Sequence, residues 1–275
     1  MKKKRSMNFL QKHLAASLLA VAALLGVTSP AWAEASSPGK ASGFAVLGGT
    51  NVTCTDGSVV GNVGVSPGSA VPYTNTNCII TGRTPPATNA AAASARTAFL
   101  SAYSALQTKS CTQTLTGTLA AQNLAPGVYC VSAEAKTGTL TLNGPANGVW
   151  IFLVNGALTG TNFSVVMAGG GQPCNVFWAP IGAATLTTST MKGNILAGDA
   201  GLGSITLTGG TLTGSAMANI AVTITGTSVT GCNALPGGTP PCKKGKCCEK
   251  DHGHDKDHGH DKDDGDDKDS GHDKY

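Results

Sequence analysis

No extended stretch between Thr137 and Gly231 runs far before a Gly, Asn or Pro turns it, and this constrains the fold more than any other feature. Thr139 to Leu142, Val149 to Val154, Phe163 to Met167, Asn175 to Trp178, Thr185 to Leu186, Ile205 to Thr208 and Val222 to Thr225 are short and apolar, with little helical spacing. Such runs of Val, Ile, Thr, Phe and Trp read as strands. The intervening glycines, Gly156, Gly193, Gly214 and Gly226 among them, supply the backbone freedom that tight corners need. Many short strands with many corners imply a sheet that coils on itself.

Upstream, Phe44 to Gly49 and Val59 to Gly68 read as two further strands, and Leu115 to Leu119 and Gly127 to Val131 resume the pattern later. A single helix, about residues 86–109, interrupts them. Ala91, Ala95, Ala98, Phe99, Ala102, Tyr103 and Leu106 recur there at three- and four-residue steps after Pro85-Pro86, and an alanine-rich face suits close packing on a flat sheet.

Charge divides the chain. Lys2, Lys3, Lys4, Arg5 and Lys12 precede an apolar run from Leu14 to Val27 and the small-residue site Ala31-Trp32-Ala33, the pattern of a secretory signal peptide over residues 1–33. That run is shorter than the ~20 residues of a membrane span, so an exported protein without a transmembrane anchor is expected. Without those five residues, the 19 basic side chains fall to 14 against 15 acidic ones, which offers no basic balance for a nucleic-acid partner. Residues 34–230 form a nearly uncharged body, 231–241 a Pro/Gly linker, and 242–275 a Cys/His/Asp/Lys-rich tail whose low apolar content predicts disorder.

Six cysteines lie in the body or just past its end: Cys54, Cys78, Cys111, Cys130, Cys174 and Cys232. An even number suits an oxidising compartment, although sequence leaves fifteen pairings open. The sequential scheme is preferred because each pair brackets one turn-rich excursion; the alternative leaves Cys174 a buried free thiol. All six histidines fall outside the body, at His13, His252, His254, His258, His260 and His272. The body therefore lacks a Ser/His or Cys/His nucleophile pair, and beyond Lys40 its few carboxylates, Asp56, Glu134 and Asp199, are far apart in sequence. Catalysis is not expected.

Phe44-Ala45-Val46-Leu47-Gly48-Gly49, Gly61-Asn62-Val63-Gly64-Val65-Ser66-Pro67-Gly68, Leu124-Ala125-Pro126-Gly127-Val128-Tyr129, Val149-Trp150-Ile151-Phe152, Asn175-Val176-Phe177-Trp178 and Gly193-Asn194-Ile195-Leu196-Ala197 resemble the serial signatures of the secreted microbial ice-binding-like (DUF3494) family. The resemblance runs from Phe44 to about Thr230. It implies an all-β fold: a right-handed, discontinuous β-solenoid of triangular section, its coils not in chain order, with one long flanking α-helix. It also implies antifreeze-like adsorption to ice through one flat face, without a cofactor. A monomer is expected.

Such a face can be argued from geometry. Coils stack at about 4.8 Å and alternate residues on a strand lie about 6.7 Å apart, so outward threonines form a rigid two-dimensional grid. Each offers a hydroxyl to a water lattice and a methyl beside it, on a side chain with few rotamers to lose. Candidate positions come from the Thr-Gly segments and their relatives: Thr159, Thr161 and Asn162; Thr187 and Ser189, with Thr190 nearby; Thr208 and Thr211; Thr225 and Thr227. No long, repeated Thr-x-Thr array stands out along the chain, so strong inhibition of ice growth is not expected. The alternative is an extracellular matrix or adhesion module holding polysaccharide, protein or envelope components on the same face.

In the tail, Cys242, Cys247 and Cys248 lead into His252, His254, His258, His260 and His272, with Gly253, Gly259, Gly265 and Gly271 at a six-residue step. Imidazoles two apart beside carboxylates are expected to bind zinc, nickel or copper weakly, though the spacing is not that of a structural zinc site. The alternative is a charged tether.

Overall fold

The computed structural model describes residues 38–67, 72–86 and 88–234. The signal-peptide segment 1–33, the linker beyond Ala234 and the whole tail, with His252, His254, His258, His260 and His272, lie outside the described residues.

The chain winds into a three-walled parallel β-solenoid. The first wall has eight strands in the order Asn62–Val65, Phe44–Gly48, Ala216–Ala218, Asn194–Ala197, Val176–Pro180, Trp150–Asn155, Gly127–Ser132 and Gln113–Leu115. The other two walls share one sheet, because the long strands Leu158–Ala168, Ala184–Lys192 and Ile205–Thr213 each bend at a corner and contribute to both. The second wall runs Tyr73–Thr76, Asn51–Thr55, Ala221–Thr225, then 205–208, 184–187 and 158–161. Segments from the two ends of the chain thus lie side by side, Asn51–Thr55 against Ala221–Thr225. Asn51–Thr55, Tyr73–Thr76 and Ile79–Ile80 are strands that the sequence reading passed over.

The inner first-wall strands, from Phe44–Gly48 to Trp150–Asn155, are buried along almost their whole length because both of their surfaces are covered, as in other buried parallel sheets. One set of side chains fills the solenoid: Tyr129, Phe152 and Trp178 stand in register on successive strands, ring centroids 5.5 Å and 4.0 Å apart. The alternate set, including Val128, Ile151, Phe177, Leu196 and Met217, meets the helix Asn89–Gln107. With 19 residues, that helix is about 28 Å long, nearly the span of eight strands at about 4.8 Å. It carries the chain from one end of the stack to the other. Among the described residues no helix is long and apolar enough to cross a membrane.

The helix is shorter than its alanine spacing suggests, and its buried face is Ala92, Ala95, Phe99, Ala102 and Leu106. Ala91 is exposed, and Ala98 and Tyr103 flank the face. The cause lies at its start, where buried Thr88 donates its hydroxyl to the Val63 carbonyl at 3.0 Å and so sets the first turn. The strand expected over Leu115 to Leu119 stops at Leu115, since Gly117, Leu119 and Ala121 all have positive φ. At another corner Gly214 has φ +145°, and a Cβ there would fall 1.9 Å from the Gly193 carbonyl oxygen, so only glycine fits.

Three disulfides join Cys54 to Cys78, Cys111 to Cys130 and Cys174 to Cys232. Cys174 is therefore not a free thiol.

Candidate functional site

The second wall carries a grid of threonines. Thr74, Thr53, Thr223, Thr206, Thr185 and Thr159 stand in register as one rank across six strands, and Thr76, Thr55, Thr225, Thr208, Thr187 and Thr161 as a second. Strand alternation points the residue between each pair the other way, and Cys54, Ile224, Leu207 and Leu186 are accordingly buried. None of the twelve threonines is buried, and none of their hydroxyls hydrogen-bonds to another described residue. The grid repeats at about 4.8 Å between coils and about 6.7 Å within a strand. It contains no charged side chain.

This overturns the expectation that the chain has no repeated Thr-x-Thr array. The six segments are scattered in sequence, and only the permuted stacking of coils brings them together. Seven grid members, Thr53, Thr55, Thr74, Thr76, Thr185, Thr206 and Thr223, were not among the sequence candidates. Thr at positions i and i+2, counted without regard to what lies between the segments, would have found them.

Of the sequence candidates, Thr159, Thr161, Thr187, Thr208 and Thr225 lie in the grid. Asn162 sits at the corner beside it, with φ +51°. Thr211 and Thr190 lie on the third wall. Ser189 and Thr227, expected on the outer face, are instead 3 % and 2 % exposed, and their hydroxyls serve the corners from inside. Ser189 Oγ donates to the Thr187 carbonyl at 2.9 Å and accepts from the Phe163 N–H at 3.2 Å; Thr227 Oγ1 donates to the Gly209 carbonyl at 3.0 Å.

The third wall is not a comparable surface. Thr139, Ser164, Thr190, Thr211 and Ser228 make one outer rank, but Val60 and Val166 break the other. Lys192 adds a charge there, its Nζ donating to Thr213 Oγ1 at 3.0 Å.

Lys136 pairs opposite Gly160 at one end of the grid and turns its side chain inward. Its Nζ donates to the carbonyls of Gly117 and Ser132, both at 2.9 Å. Burial pushes this amine below its ordinary value of 10.5, with Glu134 pulling it partly back. Between the depressed value and 10.5 the unfolded chain binds more protons than the folded one, so this group makes stability rise with pH. Tyr73, Tyr103 and Tyr129, raised above 10.0 by burial, work in the opposite sense. A comparison of wild type with Lys136→Met by urea unfolding from about pH 8 to about pH 11 cancels the tyrosines. The wild type should gain on the variant as pH rises; a constant difference would show that the amine keeps its ordinary proton affinity.

The carboxylates are engaged in turns. Asp199 Oδ1 accepts from the N–H groups of Gly201 and Leu202 at 2.8 Å and 2.7 Å, Asp56 accepts from Asn77 Nδ2 at 3.2 Å, and Glu134 accepts from Ser132 Oγ and the Gly117 N–H. Among the described residues no three His, Cys, Asp or Glu side chains form a group able to hold a metal ion.

Comparison with known proteins points to one family. Residues 46–230 match the model of the family described as ice-binding-like. The chain is 40 % identical over 166 residues to an ice-binding protein of Nostoc sp. (strain HG1), a match covering 58 % of this chain and 61 % of that one, so it spans under two thirds of that relative. It is 31 % identical over 212 residues to an ice-binding protein of Typhula ishikariensis, covering 66 % and 86 % of the two chains. The crystal structure of an ice-binding protein from an Antarctic biological consortium superimposes with a TM-score of 0.60 at 29 % identity, over 72 % of this chain and 91 % of that one. With the matched region running through all three walls, the chain belongs to the ice-binding-like family.

Proposed function

We propose that this protein adsorbs to ice through its second wall and so limits ice growth or recrystallisation. The observation that carries the reading is the two-rank grid of twelve threonines in ladder register. Ice is itself a periodic array of oxygen atoms, and a surface whose spacing is fixed by backbone hydrogen bonds meets it without reorganising. Branched threonine side chains lose little freedom on contact, which removes a cost that flexible surfaces bear. Each methyl excludes bulk water while each unpaired hydroxyl can enter the water lattice. The absence of charge from the grid matters as well, since an ammonium or carboxylate would hold its own hydration shell there.

The protein acts as a monomeric binder rather than a catalyst, exported by residues 1–33, with residues 34–230 as the ice-binding unit and 231–241 as a linker. Recrystallisation and crystal-shaping assays on the mature chain test the reading: inhibited growth with faceted crystals is expected, and round, freely growing crystals in its presence would refute it. An inert protein that retained glycans on an affinity column would instead indicate an adhesion module.

The tail has a separate role as a weak, multi-site ligand for zinc, nickel or copper through His252, His254, His258, His260 and His272. Every chelate must order a glycine-spaced chain, which keeps affinity low. Removing the residues after Pro241 should abolish metal binding and leave ice activity unchanged. Affinity should also fall steeply below about pH 6, where imidazole protonation competes with the metal. Calorimetry on the chain with and without the tail decides this, and equal heats from the two would leave only the tether.

A further inference from the structure

Each grid segment is followed by a residue of left-handed conformation, and together these form a column along the corner between the second and third walls. In stack order they are Asn77, Asp56, Gly226, Gly209, Thr188 and Asn162, with φ of 58°, 50°, 60°, 66°, 46° and 51°. Glycine takes this conformation freely and Asn and Asp tolerate it, but a β-branched residue there is a steric outlier. Thr188 is therefore strained where glycine, the choice of the next two coils, would not be.

Its surroundings show what the threonine contributes. Thr188 Oγ1 donates to Asn162 Oδ1 at 2.6 Å, and both residues are exposed. A Cβ built on neighbouring Gly209 would meet the Thr188 methyl at 3.4 Å, so the adjacent corner leaves that methyl room. Tying up Oδ1 fixes the plane of the Asn162 amide. Its two N–H groups have no partner among the described residues.

We propose that the ice-contacting surface extends onto this corner at its Asn162 end, with the Thr188–Asn162 pair as a fixed donor that anchors a water of the ice-like layer where the wall turns. The inference rests on the second wall being the ice-contacting one. It extends that contact beyond the threonine ranks and explains why strain is kept at one coil, since strained backbone persists where function uses it.

Two variants of the full mature chain test it, each measured for melting temperature and for ice-growth inhibition, with Thr208→Lys alongside. Thr188→Gly relieves the strain and deletes the hydroxyl. It should melt about 2–4 °C higher, yet its ice-growth inhibition should be roughly halved because the donor is no longer fixed. Asn162→Asp keeps the acceptor for Thr188 and the left-handed backbone but replaces the amide donors with a carboxylate that holds its own hydration shell; it should melt near wild type and lose at least as much activity. Wild-type inhibition in both variants would overturn the proposal while leaving the second-wall reading intact if Thr208→Lys is inactive. An inactive wild type, or a fully active Thr208→Lys, would overturn both.

Discussion

Thr208→Lys should remove most of the ice-growth inhibition and leave the fold untouched. Thr208 is exposed in the interior of the second rank, with Thr225 on one neighbouring strand and Thr187 on the other. A lysine there raises a flexible chain above the plane and carries an ammonium whose hydration shell competes with the ordered layer at the wall. Because adsorption uses the whole grid at once, one protrusion near its middle lifts the threonines around it as well. Thr161→Lys, on the outermost strand of the rank, should cost less for the same reason. Stability is expected to change by no more than about 0.5 kcal/mol, since the side chain packs against nothing inside. Thr211→Lys is the matched control: it is exposed three residues further along the same strand, but on the third wall. Equal loss from Thr208→Lys and Thr211→Lys would show that the wall has been assigned wrongly.

The contrast between walls also explains how far the sequence could be read. Inner strands of the first wall are covered on both sides and announce themselves as apolar runs, as with Trp150 to Val154. The helix is legible from its alanine spacing, although Thr88, which sets its start, carries no local signal because its partner Val63 lies 25 residues away. Second-wall strands are half polar and very short. Those at the N-terminal end, Asn51–Thr55 and Tyr73–Thr76, resemble loops when met alone, and their place in the grid depends on pairing with residues near the other end of the chain. Ser189 and Thr227 were misjudged for a different reason. The left-handed residue before each restarts the alternation, so Thr225 points out, Thr227 in and Ser228 out, much as an extra residue does in a bulged strand.

The interior responds differently from the wall, and Trp178→Ala should show it. Trp178 is fully buried; its ring stacks on Phe152 at 4.0 Å and meets Phe163 edge-on at 6.2 Å, and its indole N–H donates to the Lys192 carbonyl at 3.0 Å. Truncation leaves a cavity that a rigid stack of coils can close only in part, at a cost of about 3–5 kcal/mol, and leaves that carbonyl short of a partner. For a domain of this size the melting temperature should fall by on the order of 10 °C. Trp178→Phe keeps the stack and loses only the donor and part of the volume, so it should fall by less than half as much. Stability curves are domed, with the maximum close to about 10–20 °C, so a protein that melts early can remain folded at the freezing point. Trp178→Ala is therefore expected to keep its ice-growth inhibition near 0 °C while losing heat resistance, the reverse of Thr208→Lys. A loss of ice activity in Trp178→Ala while circular dichroism still reports a folded chain would mean that the aromatic stack sets the spacing of the threonine grid as well as its stability. A melting temperature within about 2 °C of wild type would mean instead that the solenoid is held by its ladders and disulfides, with the aromatic column contributing little.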